Sequence, residues 1–320
     1  LSQRNWGTHV TILSGDIGAA GNNSDNSYHV VSNDNNGLTN TAILDGFTIT
    51  GGNANGNDFP HFWGGGLYND SSSPVIRNCT LTDNSSSSFG GGIFNYNSTL
   101  LKVTNCSFSG NSAILGGGMT NSSSQPIVTN CTFSDNTASD SGGGMYNESS
   151  SPTVINSSFS GNSAGGFGGG VYNKLSSSPA MTNCILWGNS SGMVNVSSSN
   201  PTVTYSIVQG GYTGTGNLNM DPLFVSSTNL RLQGCSPAID AGLDANNTTS
   251  TDLDENGRKF ESIPGGQSID MGAYEHQQLA PVITAACKTF TAYLGPNGTV
   301  SVSGSDIDNN SAAPCAATLS

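Results

Sequence analysis

The stretch GGGLYND at 64–70 returns as GGGIFNY at 90–96, GGGMTNS at 116–122, GGGMYNE at 142–148 and GGGVYNK at 168–174. Each copy begins 26 residues after the one before it. A fixed period of this length in a Gly-, Ser- and Asn-rich chain predicts a solenoid with one coil per repeat. A second block keeps the same step: RNCTLTDN at 77–84, TNCSFSGN at 104–111, TNCTFSDN at 129–136, INSSFSGN at 155–162 and TNCILWGN at 182–189. Both blocks are short, alternate apolar and polar residues, and are bounded by Gly, Asn and Ser, so they read as strands and not helices.

Four inward columns follow from the alignment. Leu67, Ile93, Met119, Met145 and Val171 form one; Ile76, Val103, Val128, Val154, Met181 and Val203 another. Cys79, Cys106, Cys131, Ser157 and Cys184 form the third, and Leu81, Phe108, Phe133, Phe159 and Leu186 the fourth. Parallel coils stack about 4.8 Å apart, so like residues lie over like residues in one continuous core. The Asn before each Cys slot (78, 105, 130, 156, 183) falls between two apolar strands. It marks a turn, where Asn tolerates a left-handed backbone, and stacked amides there can bond coil to coil. Pro74, Pro126, Pro152, Pro179 and Pro201 open a strand, where a missing N–H costs least. The reading is an all-β chain: a right-handed parallel β-helix of about 26 residues per coil, with three short strands in each.

The division along the chain is irregular early coils at 1–63, regular repeats at 64–210, final coils and a cap at 211–276, and a linker at 277–281. The segment 282–320 reads as the beginning of an Ig-like β-domain. NGNDFPHFW at 55–63 reads as an inserted loop projecting from the stack. LSQRNWG at 1–7 carries no signal-peptide pattern, which suggests part of a longer polypeptide.

Composition narrows the function. The net charge is −13, and the eight Lys and Arg are scattered, which argues against nucleic acid and an anionic membrane surface as partners. No run is apolar enough to span a bilayer. No CxxC or Cys/His cluster suggests zinc. The coil cysteines read as free, buried fillers, Cys235 has no obvious partner, and Cys287 and Cys315 flank the last segment and are a candidate disulfide.

The pairing of GGG[ILMV] with Phe-x-x-Asn, as in Phe108 to Asn111, Phe133 to Asn136 and Phe159 to Asn162, resembles the repeats of the chlamydial polymorphic outer membrane proteins, with a third Gly in place of their Ala. Asp221-Pro-Leu-Phe, Cys235 to Gly242, Thr251 to Arg258 and Asp270 to Glu275 resemble the choice-of-anchor module of bacterial β-helix proteins. The segment from Ala280 is similar to the HYR- or Ig-like repeats of secreted Bacteroidetes proteins. These resemblances imply an exported, extracellular or cell-surface protein of a bacterium, with type IX secretion as one route, and a role as adhesin or stalk.

Four sets of residues are candidates for chemistry. β-Helices also host polysaccharide lyases and glycoside hydrolases, so a carbohydrate-degrading or carbohydrate-binding protein is the alternative. The best acid pair on the coils is Asp83 and Asp135, two coils or about 9.6 Å apart, near the upper separation for an inverting pair. No base converges there, and solvated turn acids are the plainer reading, so no catalytic residue is assigned. Glu148 and Lys174 should form a surface ion pair of little energetic worth. Asp252, Asp254 and Asn256 lie in D-x-D-x-N-G, a spacing that suits Ca²⁺ or a plain polar turn; no other cofactor is implied. Tyr68, Phe94, Tyr146 and Tyr172 form a column expected to face outward or lie at a corner. There they would bind sugar rings or pack on one another. His61 and Trp63 in the inserted loop would contact a partner or cover the core. The implied partners are glycans, cell surfaces or other protein chains.

Overall fold

A computed structural model describes residues 9–260 and 268–277. The chain is a parallel β-helix, and among the described residues every strand pairs with its neighbours in parallel, antiparallel contact being confined to two isolated bridges in the cap. One coil shows the plan: strands at Ile93–Tyr96, Lys102–Thr104, Ser107–Ser109 and Ser112–Leu115. Ile93 pairs with Met119, Val103 with Val128, Phe108 with Phe133 and Ser112 with Thr137 of the next coil. The four resulting sheets hold seven, seven, eight and five strands. The fourth sheet corrects the expectation of three strands per coil. Its strands are short, such as Ser85–Ser86 and Ser163–Ala164, and their small polar residues carry almost no apolar alternation to detect.

The four inward columns are buried as the alternation requires. Phe108, Phe133 and Phe159 stack face over face, with centroids 4.5 Å apart and planes within 3°. Cys79, Cys106, Cys131 and Cys184 are free and buried beside them. The Asn before each Cys slot has φ between +49° and +56°, the left-handed turn its position calls for.

Three asparagine ladders run through the stack. One joins Asn33, Asn69, Asn95, Asn121, Asn147, Asn173 and Asn195, each Nδ2 donating to the next Oδ1 at 2.7–3.0 Å. A second joins Asn84, Asn111, Asn136, Asn162 and Asn189 at 2.8–3.0 Å. In this one Oδ1 also accepts the backbone N–H of the preceding Asn, as Asn136 does from Asn111 at 3.2 Å. The third is the turn column, where Asn130 donates to Asn105 and Asn105 to Asn78. Each ladder satisfies both ends of an amide that burial would otherwise strand.

The glycine triplet is set by close approach. Gly116 has φ +69°, and a Cβ on Gly117 would lie 2.5 Å from the Thr137 carbonyl oxygen and 2.7 Å from that of Gly143. Coil-to-coil hydrogen bonds pass through this point, from Gly117 N–H to the Gly142 carbonyl at 3.1 Å and from Gly118 to Gly143 at 3.0 Å. A side chain on the middle glycine has nowhere to go.

Residues 211–219 close the end of the stack. Tyr212 packs against the core, and its hydroxyl accepts from Asn195 Nδ2 at 3.3 Å, ending the first ladder. Beyond residue 220 the chain adds no coil among the described residues. It turns back along the flank of the third sheet, where Leu232, Ala238, Ile239 and Met271 pack on Ile185 and Ile207 to make a second apolar core. Cap groups bond the turn asparagines: Asn130 donates to the Thr251 carbonyl, Asn156 to Asn247, and the Leu243 N–H donates to Asn183. Among the described residues, 211–219 thus plug the end of the stack, with Leu218 bridged in parallel to Ile207, and 220–260 with 268–277 cover its flank.

Among the described residues no helix is long and apolar enough to cross a membrane.

Candidate functional site

The outward column is buried. Tyr68, Phe94 and Tyr146 are 0–2% exposed, and only Tyr172 is half-buried. Tyr68 stacks on Phe94 at 5.8 Å and Tyr146 on Tyr172 at 5.5 Å. They do leave the outer face of the first sheet, but the segments after the fourth-sheet strands fold over them. Phe89 packs against both Phe94 and Tyr146. Burial, with Asp70 and Asp34 nearby, pushes the Tyr68 phenol up, so it stays protonated. This strip forms a second packing layer and offers no open platform for a sugar.

The 55–63 insertion does not project. It folds back over the first-coil end of the same strip. Trp63 lies 4.8 Å from Phe94, and Phe59 meets Trp63 edge-on at 5.0 Å. His61 stacks on Tyr28 at 4.7 Å and bonds Asp58 at 3.0 Å. His29, stacked on Tyr68, is lowered by its burial. His61 and Trp63 thus lie over the aromatic strip of the first coils.

Asp83 and Asp135 sit at left-handed turns, with φ +54° and +55°, and Gly110 lies between them. Glu148 pairs with Lys174 at 3.1 Å, whose ammonium also lies over the Tyr146 ring.

Asp252, Asp254 and Asn256 are not brought together as oxygen ligands. Asp252 is fully buried. Its Oδ1 accepts the N–H groups of Asp254 and Asn256, and its Oδ2 that of Glu275. Asp254 turns away to a bidentate pair with Arg231 at 2.5 and 2.6 Å. Asp252 is a turn-capping acceptor, and the spacing alone does not reveal that its lone pairs are already used. Among the described residues no group of three or more His, Cys, Asp or Glu is arranged to hold a metal.

Asp252 belongs to a buried charge cluster that sequence reasoning missed. Arg258 is 1% exposed and lies 3.6 Å from Glu275, and it donates to Asn130 at 3.0 Å and to the Gly272 carbonyl at 2.7 Å. Burial pushes Asp270 up to about 7 and Glu275 up to about 8. One guanidinium faces three carboxyls, so near neutral pH the cluster holds extra protons. Two of the four cap stretches singled out in the sequence, Thr251 to Arg258 and Asp270 to Glu275, thus meet as one fastening between cap and coils.

Cys235, which has no obvious partner in the sequence, is disulfide-bonded. The proposed Cys287–Cys315 pair and the Ig-like segment lie outside the described residues.

A family model described as a right handed beta helix region matches residues 116–256. No curated protein matches the chain. Among solved structures, the chain is similar to the crystal structure of pectate lyase Pel9A at 16% identity. That match covers 73% of this chain and 72% of the other, with a TM-score of 0.41. The chain is a parallel β-helix protein with a flank-packed cap.

Proposed function

We propose that this protein is a non-enzymatic, exported bacterial surface protein that acts as an adhesin or stalk segment. The observation that carries the reading is how the repeated residues are used. The recurring apolar, Asn, Gly and aromatic positions of the described coils all go into the core, the ladders, the turns or the buried aromatic strip. Repetition here builds length and rigidity, since each coil rests on its neighbours through three ladders and four sheets. Ligand contact then falls to the irregular parts, the cap above all.

The test pairs two measurements on purified protein: adherence of the labelled chain to glycan-bearing cells, and release of unsaturated or reducing ends from pectin, polygalacturonate and alginate. Adherence without polymer cleavage is expected. Turnover of any of these polymers, abolished by changing Asp83 and Asp135 together, would overturn the reading in favour of an enzyme.

A further inference from the structure

A cleft of about 380 Å³ lies where the cap meets the third sheet. Trp187, Ser160, Asp221, Phe224, Ser226 and Gln233 line it. The coil side of this cleft breaks a rule that the rest of the sheet keeps. In register, the outer position reads Ser14, Thr50, Thr82, Ser109, Ser134 and Ser160, and then Trp187. Six hydroxyls are followed by one indole, and the indole stands at the mouth of the cleft. Trp187 is half-buried and rests on the second apolar core beside Phe224. One part of it is held and the rest faces the opening.

From this we infer that the cleft binds a neutral oligosaccharide, with a pyranose ring laid on Trp187. The inference rests on the reading of the chain as a surface-binding protein and assigns that binding a place. Its size falls within the range of small-ligand sites. A pyranose ring has a C–H face that suits an aromatic surface and a rim of hydroxyls that needs donors and acceptors. Asp221, exposed, supplies a carboxylate, of which Oδ1 already accepts the Leu223 N–H at 2.8 Å. Gln233 is oriented by its Nε2 bond to the Phe224 carbonyl at 2.8 Å, which leaves its amide oxygen as an acceptor. Ser226 and Ser160 add hydroxyls. No Lys or Arg is among the described residues lining the cleft, so a carboxylated sugar would meet Asp221 with no compensating charge. The hydroxyl column that leads up to Trp187 advances about 4.8 Å per coil, close to the rise of one sugar unit in an extended glycan.

The test uses the full chain with cellotetraose, mannotetraose and xylotetraose, and tetragalacturonate as the charged comparison. Binding is read by calorimetry and by tryptophan emission. At least one neutral tetrasaccharide should bind saturably and change the emission. Trp187→Ala should weaken that binding at least tenfold and Asp221→Asn several-fold, while Trp187→Phe keeps part of the affinity and the parental melting curve. Should Trp187→Ala not fold, Asp221→Asn and Gln233→Ala, both at exposed positions, carry the test. The assignment is overturned if no neutral tetrasaccharide binds, if the variants bind like the parent, or if tetragalacturonate binds as tightly as the best neutral sugar. Cell adherence separates this from the broader reading. A parent that adheres to cells but binds no neutral tetrasaccharide removes the cleft and leaves the adhesin standing. A parent that binds the sugar but never adheres removes the adhesin and leaves the cleft.

Discussion

Arg258 Nη2 donates to Asn130 Oδ1 at 3.0 Å, joining the cap to a coil turn 128 residues earlier in the chain. Asn130 is also the point where the turn ladder yields to the cap, since its Nδ2 donates to Thr249 and Thr251 as well as to Asn105. The guanidinium is buried among Glu275, Asp270 and Asp252. Replacing Arg258 with Ala removes the cation facing these carboxyls and strips Asn130 and the Gly272 carbonyl of a donor. The expected loss is about 3–5 kcal/mol of stability, the usual cost of breaking a buried pair from one side. Limited proteolysis should then cut first in 220–260, with the coils persisting as a resistant fragment. An Arg258→Ala chain that melts and digests like the parent would show that the apolar contacts of the cap suffice.

The same cluster sets a pH dependence with a definite sign. Glu275 is raised by burial from its ordinary 4.5 to about 8, and Asp270 from 3.8 to about 7. The folded chain therefore binds more protons than the unfolded chain between about pH 4 and 8, and the contribution of these groups is lost as pH rises through that window. Melting temperature should fall from pH 5 to pH 8, opposite to the trend of a salt-bridged surface acid. Glu275→Gln should flatten the slope. A slope unchanged in Glu275→Gln would place the titration elsewhere.

What the sequence shows and hides follows from how each contact is encoded. The 26-residue step and the alternation around Phe108 make the coil and its inward columns legible, because periodic burial leaves a periodic trace. Tyr68 and Phe94 alternate correctly to the outer face, yet local alternation does not encode that Phe89 and the 55–63 segment fold over that face. Asp252 has metal-like spacing, but its acceptor capacity is used by N–H groups up to 23 residues away. Trp187 is visible as the single break in a hydroxyl column, a signal that gains meaning only once the cap is seen to stop beside it.

The asparagine ladders should be cooperative and position-dependent. Asn136 accepts at one oxygen from both the backbone N–H and the Nδ2 of Asn111, and donates to Asn162 and to the Phe108 carbonyl. Asn136→Ala strands the buried Asn111 backbone N–H, at about 1–3 kcal/mol, and takes one bond each from the Phe108 carbonyl, from the Asn111 amide, which keeps the Leu81 carbonyl, and from the Asn162 amide, which keeps the backbone N–H of residue 136. Asn189 lies nearer the end of this ladder and is less buried, so Asn189→Ala should cost clearly less. Chemical denaturation of the two variants checks the order, and equal costs would mean that coil packing, and not the ladder, sets the stability.

Two glycine-to-alanine changes should separate close approach from mere flexibility. At Gly117 the added methyl would be pressed against the Thr137 and Gly143 carbonyl oxygens, backbone atoms tied into the coil-to-coil bonds. Relief requires two coils to part, so Gly117→Ala should destabilise by more than the roughly 1 kcal/mol scale of ordinary glycine substitutions. Gly257, in the turn after Asn256, would place an added methyl with no atom within 4 Å of it, and its φ is not left-handed. Gly257→Ala should therefore be neutral or stabilise by about 0.4–1 kcal/mol through the unfolded chain. Thermal melts of the pair measure the contrast. Similar melting points would mean that the coils can separate locally at the triplet without disturbing the stack.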